Sequence, residues 1–179
     1  VIEDGCRLSN YPVNLVIDSS PLAAEKPYSG RKETKFCLGP KYFPLKEEFR
    51  SKGYQSKNFR KSVKILITFG GIDEQDMTSR VLDILSSVDE KLNLTVVLGP
   101  FYSGSLSISS NSQNDISVFR NPDNYFEILS AADMAISGAG ATALELAYLG
   151  VPSILIPLSP DQESVARGLT ELGAAIIIN

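Results

Sequence analysis

The 179-residue sequence contains no histidine and no tryptophan. The missing histidine removes the side chain that most often acts as general base near neutral pH, and with it the commonest metal ligand. No metal site and no bound cofactor are therefore expected. The two cysteines, Cys6 and Cys37, fit neither a zinc pattern nor a disulfide framework, so reduced thiols and a cytoplasmic location are expected. No apolar run approaches the roughly 18 residues of a membrane span, and no signal peptide is expected at the start. Basic residues are scarce in the second part. Residues 62–179 carry 5 Lys+Arg against 14 Asp+Glu, whereas residues 1–61 carry 12 against 7. The acidic part is a poor polyanion binder, which argues against nucleic acid as a partner. An anionic ligand there calls for backbone amides rather than lysines.

What is present is a regular alternation. "VKILITFG" (63–70) reads as a buried strand, and "LNLTVVLG" (92–99), "ISVFR" (116–120), "DMAISG" (133–138), "VPSILIP" (151–157) and "AAIIIN" (174–179) as further strands. Helices are predicted at 74–88, at 121–132 with Asn121 as cap and Pro122 first, at 140–149 and at 160–172. The Ser/Gly/Asn-rich "SGSLSISSNSQND" is left irregular. Continuous apolar strands alternating with helices define an α/β, Rossmann-like, doubly wound parallel sheet over residues 62–179. In residues 1–61, "VIED", "NLVIDSS" and "TKFCLG" look like strands and "PLKEEFRSKG" like a short helix or turn. This segment is read as the end of a preceding α/β domain, with the basic "SKGYQSKNFRKS" as a linker; the alternative is a small extension packed on the main domain.

Ligands of open parallel sheets bind beyond the carboxyl ends of the strands, where helix N-termini offer unpaired N–H groups. Three stretches suit that job: "FGGIDEQD", with Gly70 and Gly71 for close backbone approach, "SGAGAT" and "PLSPDQES". Residues 138–143 also satisfy the dinucleotide pattern G-x-G-x-x-G/A, with Asp161 about 20 residues further on. That match comes late in the series of strand–helix units, and Asp161 lies past Pro157 rather than at a strand end. For Thr142 and Glu145 the plain reading is a capping box, T-x-x-E, and "SPDQ" (159–162) is another. A cap and a ligand site can share one helix end, because the cap uses only one or two donors.

The run S-G-A-G-A-T-A-L-E-L-A-Y-L-G-V-P-S-I-L-I-P (137–157), followed by D-Q (161–162), resembles the nucleotide-sugar-binding half of the GT-B fold as found in MurG-type N-acetylglucosaminyltransferases. Together with "CLGPKYFPLKEEF" (37–49) and "ITFGGID" (67–73), it more specifically resembles the PseG-like UDP-diacetamido-trideoxy-altropyranose hydrolases of pseudaminic acid biosynthesis and their spore-coat polysaccharide relatives. The resemblance implies a UDP-sugar as partner and hydrolysis as activity. Ser137, Gly138, Ala139, Gly140, Ala141 and Thr142 would wrap the diphosphate, and Glu145 would accept the ribose hydroxyls. Gly70 and Gly71 would approach diphosphate or sugar, while Asp161, as a catalytic residue, and Gln162 would face the sugar and the attacking water. Two departures stand out. The hydrolases normally have Asn-Gln where this chain has Asp161-Gln162, and their catalytic histidine lies in an N-terminal Gly-rich motif that has no counterpart here. A glycosyltransferase using the same pocket and a non-catalytic nucleotide-sugar-binding module are the competing expectations.

Overall fold

A computed structural model of the chain describes residues 1–3, 6–53, 63–106, 108 and 113–178. Most of the expected linker, residues 54–62, and part of the Ser-rich loop lie outside these.

The main sheet has six parallel strands: β4 (Lys64–Thr68), β5 (Asn93–Leu98), β6 (Asp115–Arg120), β7 (Met134–Ser137), β8 (Ser153–Leu155) and β9 (Ala175–Ile177). Their spatial order is β6-β5-β4-β7-β8-β9, so the chain winds outward in one direction from β4 and then in the other from β7. Right-handed crossovers then place helices on opposite faces of the two halves. Helix α2 (Met77–Ser86) covers one face, with Val81 and Leu82 buried against Ile65, Ile67 and Val96. Helix α3 (Tyr125–Ala131) covers the other, where Phe126 and Leu129 meet Leu66 and Val97. Helices α4 (Ala141–Tyr148) and α5 (Pro160–Glu171) follow β7 and β8, and Ala143, Leu155, Ala166 and Leu169 form a third apolar cluster between them.

A second sheet of three parallel strands, β1 (Ile2–Glu3), β2 (Leu15–Asp18) and β3 (Lys35–Leu38), comes from the first segment. At the end of β2 the Asp18 carboxylate is fully buried. It accepts hydrogen bonds from Lys26 Nζ (2.9 Å), the Tyr28 hydroxyl (2.7 Å) and the Ser20 amide (2.8 Å). Burial opposes its charge, but these partners outweigh burial and hold its pKa below the ordinary carboxylate range. Helix α1 (Glu47–Lys52) then carries the chain onto the main sheet. Its Phe49 is fully buried in the same cluster as Leu66 and Phe126, with the two phenyl rings edge to face at 5.1 Å. Lys52 pairs with Glu127 of α3. Gly168 of α5 packs so closely on Pro21 and Leu22 that a methyl group there would collide with them.

Two helix starts differ from expectation. Helix α3 begins at Tyr125, not next to Asn121, because Asn121 takes a left-handed backbone (φ 43°) and donates its N–H to Leu98 O. Pro122 therefore lies outside the helix, ahead of the turn at residues 123–124. Helix α2 begins at Met77, because Asp73 and Asp76 both adopt left-handed conformations before it.

Candidate functional site

Strand order reverses between β4 and β7, where Thr68 pairs with Ser137. Loops diverge from that point and leave a crevice beyond the strand ends. The crevice consists of two cavities, of about 450 and 360 Å³, which share Gly70, Gly71, Ala141 and Thr142 as a common wall. The larger is lined by Gly138, Gly140, Ser159 and Gln162, with Asp73 and Ile72 opposite. Lys46, Asn121, Tyr125 and Glu145 line the smaller.

Each wall is built from local backbone chemistry. Gly70 has φ 77°, a conformation that costs a residue with a Cβ, and it turns the chain straight out of β4. Its neighbour Gly71 is fixed from behind by Phe101, whose N–H donates to Gly71 O (3.0 Å). Tyr102 continues that brace, its hydroxyl donating to Asp76 Oδ1 at 2.6 Å. The helix start nearest these glycines is already occupied. Asp73 accepts the N–H groups of Met77 (2.8 Å) and Thr78 (2.9 Å) and the Thr78 hydroxyl (2.6 Å). The first loop thus offers its glycine backbone, not the end of α2, to a ligand.

The second wall differs from the capping-box reading. Gly140 is the N-cap of α4 and no side chain caps it, so Thr142 and Glu145 lie two residues further in than a T-x-x-E box requires. Ala141 and Thr142 open the helix, and their N–H groups have no intrahelical acceptor. "SPDQ" is likewise no box. Ser159 is the N-cap of α5 and Pro160 its first residue, as expected, but no side-chain cap forms. Gln162 Oε1 instead accepts the N–H groups of Leu158 (3.1 Å) and Ala139 (3.0 Å), tying α5 to the glycine turn. Ser137 is buried with its hydroxyl on Gly138 O (2.9 Å), and Ala139 is fully buried. Ala139 shapes the turn from within, while Ser137, Gly138, Gly140, Ala141 and Thr142 line the cavity. Asp161 is exposed and outside the cavity lining, beside Gln162, which is in it.

Glu145, only 8% exposed, reaches the smaller cavity from the first turns of α4. Burial pushes its carboxyl above the ordinary glutamate range, and Glu48 adds to the rise. Lys46 and a hydrogen bond from Tyr125 pull the other way. Sequence reasoning missed Lys46 and Tyr125. Lys46 belongs to the first 61 residues, and its ammonium lies 5.3 Å from the Tyr125 ring centroid. The available signal was the "PLKEEF" block, which the family resemblance includes. A raised folded-state pKa means that the ionised form is disfavoured by folding, so this term supports stability at low pH and is lost as pH rises through the folded value. Glu145→Gln is therefore expected to raise the melting temperature at neutral pH, with the gain vanishing below the pKa of an unfolded glutamate. Thermal denaturation across that range checks it.

A six-stranded sheet wound in both directions from its centre, with a glycine-walled crevice at the reversal point, defines a Rossmann-like domain. The chain belongs to the glycosyltransferase family 28 C-terminal domain family, whose pattern matches residues 64–179. It is 32% identical over 164 residues to an uncharacterized protein of Methanocaldococcus jannaschii, covering 84% of this chain and 32% of the relative. It is also similar to a Helicobacter pylori protein named pseudaminic acid cytidylyltransferase and UDP-2,4-diacetamido-2,4,6-trideoxy-beta-L-altropyranose hydrolase. That match is 26% identical over 175 residues and covers 97% of this chain and 32% of the relative. The crystal structure of Acinetobacter baumannii MurG superimposes with a TM-score of 0.63 at 23% identity, over 93% of this chain and 53% of that one. This likeness shows the GT-B fold. N-acetylglucosamine transferase names recur among the other curated relatives. The chain spans about a third of the length of the archaeal and Helicobacter relatives.

Proposed function

We propose that the crevice binds a UDP-sugar, with the nucleoside in the cavity of Glu145, the diphosphate on the wall shared by the two cavities, and the sugar toward Gln162. One observation carries this reading. The shared wall sets the Gly70–Gly71 backbone against the open amides of Ala141 and Thr142, so two cavities of ligand size communicate through a passage of hydrogen-bond donors. Within the passage Thr142 adds a hydroxyl, and Lys46 supplies the cation at the nucleoside side. Glu145 accepts from the ribose hydroxyls. Asp161 lies outside the lining, where its charge does not face the diphosphate, and remains the candidate for orienting water at the cavity mouth.

For the whole protein the favoured activity is hydrolysis of a UDP-linked amino sugar of the pseudaminic acid type in surface-polysaccharide biosynthesis, carried out in the cytoplasm. The Helicobacter relative, matched along nearly the entire chain, supports this choice over others. Residues 1–61 would then be the tail and linker of an N-terminal GT-B domain, and residues 62–179 the nucleotide-sugar domain. Water attacks the anomeric carbon, UDP leaves, and the helix-terminal amides stabilise its developing charge. The recurring transferase relatives favour a second reading, transfer of the sugar from the same pocket to an acceptor. Product analysis separates free sugar from transferred sugar.

Calorimetry of the 179-residue chain with UDP is expected to give a micromolar or weaker dissociation constant and amide shifts across residues 137–145. No heat and unchanged spectra would remove the reading. Affinity is further expected to fall as pH drops through the raised Glu145 pKa, because a protonated carboxyl loses acceptor capacity toward the ribose. Glu145→Gln should bind about tenfold more weakly, as expected for a lost charge-assisted hydrogen bond. Comparing the two proteins isolates this group from the titration of UDP itself.

A further inference from the structure

The Tyr125 hydroxyl lies 3.0 Å from Thr142 Oγ1 and 3.4 Å from Glu145 Oε2. Tyr125 thus stands between the residue assigned to the diphosphate and the residue assigned to the ribose, and it lines the cavity with both. Among the described residues it is the one side chain hydrogen-bonded to the Glu145 carboxylate. A phenol has a single hydrogen to donate, so the two contacts cannot both be donations by Tyr125.

Two proton orders satisfy the three groups. In the first, Thr142 donates to Tyr125 and Tyr125 donates to the carboxylate, which serves the anion when no ligand is present. In the second, Tyr125 donates to Thr142 and the threonine proton points away, toward the shared wall. A phosphate oxygen only accepts, so the second order alone gives it the Thr142 proton. Reversal also withdraws the phenolic hydrogen from Glu145, which then accepts from ribose hydroxyls instead. Both changes suit the same ligand.

We propose that Tyr125 is a positioning residue that couples the two subsites: its donated hydrogen moves from Glu145 to Thr142 when a nucleoside diphosphate with an intact ribose diol binds. This rests on the UDP reading of the crevice. The phenol itself touches neither the sugar nor the bond that breaks. No covalent bond changes; two hydroxyl hydrogens reorient. The consequence is cooperativity within one ligand, because a phosphate on Thr142 frees the carboxylate for the diol and the diol in turn favours the phosphate.

The test uses the full chain and four ligands: UDP and uridine, each with and without its two ribose hydroxyls. Dissociation constants come from calorimetry for the diphosphates and from amide-shift titration for the nucleosides. In the parent protein the diol is expected to strengthen the diphosphate roughly tenfold more than it strengthens the bare nucleoside, within the usual range of coupling between sites. In Tyr125→Phe the two factors should agree within about twofold, the limit expected for independent groups. Thr142→Val breaks the chain of hydroxyls from the other end and should erase the coupling too, so it decides the matter if Tyr125→Phe does not fold. A uniform weakening of all four ligands by Tyr125→Phe, or coupling that survives both changes, overturns the proposal while leaving the UDP reading intact. Failure of the parent protein to bind UDP removes both.

Discussion

Gly99→Ala is expected to weaken UDP binding about a hundredfold by displacing the Gly70–Gly71 loop. Gly99 follows β5 and lies against the back of the Gly70–Gly71 loop. A Cβ there would overlap the carbonyl oxygens of both glycines and the Gly71 Cα. All three obstacles are backbone, so no side-chain rotation relieves them. Moving the loop outward would break the Phe101–Gly71 hydrogen bond, and the Tyr102–Asp76 bond resists that movement. Overpacking of this kind typically costs about 1–3 kcal/mol. The effect on binding should be larger in relative terms, because displacement of roughly 1 Å at a positioned wall is enough to cost about a hundredfold. Gly71→Ala provides the contrast: its Cβ would meet only the Phe101 ring, at 4.0 Å, so its melting temperature should match the parent's. Calorimetry with UDP and thermal denaturation of both variants check this pair. Full UDP affinity in Gly99→Ala would mean that the glycine loop is not part of the binding wall.

Phe49→Ala is expected to destabilise the main sheet by about 3–5 kcal/mol, the usual cost of removing a fully buried aromatic ring. Phe49 belongs to the first 61 residues, yet its ring fills the space between Phe126, Leu66 and Val97 on the face covered by α3. Loss of the ring leaves a cavity under the helix that carries Tyr125 at its start. It also loosens α1, whose N-cap is Lys46. Weaker UDP binding should therefore accompany the shift in the urea midpoint. A cost below about 1 kcal/mol, typical of surface substitutions, would mean that α1 is not anchored as described.

The parallel sheet was legible because each strand is a short apolar run bounded by turn residues, and runs such as "ILIT" and "SILIP" leave no polar face. Its reversal point was not legible from periodicity alone, since strand order depends on which runs pair. The glycine positions at that point were nevertheless flagged, because Gly70–Gly71 and Gly138–Gly140 each follow an apolar run directly. The cap assignments failed for a local reason. A Thr three residues before a Glu marks a box only when the helix begins after the Thr, and α4 begins one residue before it. Lys46 and Tyr125 escaped notice because they reach the crevice from elements distant in sequence. The charge count that assigned the anion to amides alone treated residues 62–179 as if they met the ligand unaided.

The three donors clasped by Asp73 bear on a question of direction. An open helix end attracts an anion, and a crevice flanked by several such ends would receive a pyrophosphate in either sense. Here α2 arrives with its own carboxylate already seated, so its positive pole is cancelled from within, while the end of α4 is left bare. The field across the crevice is consequently lopsided. In the proposed complex a nucleotide would meet one attractive side and one neutral side. The Asp73 carboxylate, by occupying the end of α2, would thereby help decide which end of the ligand goes in first.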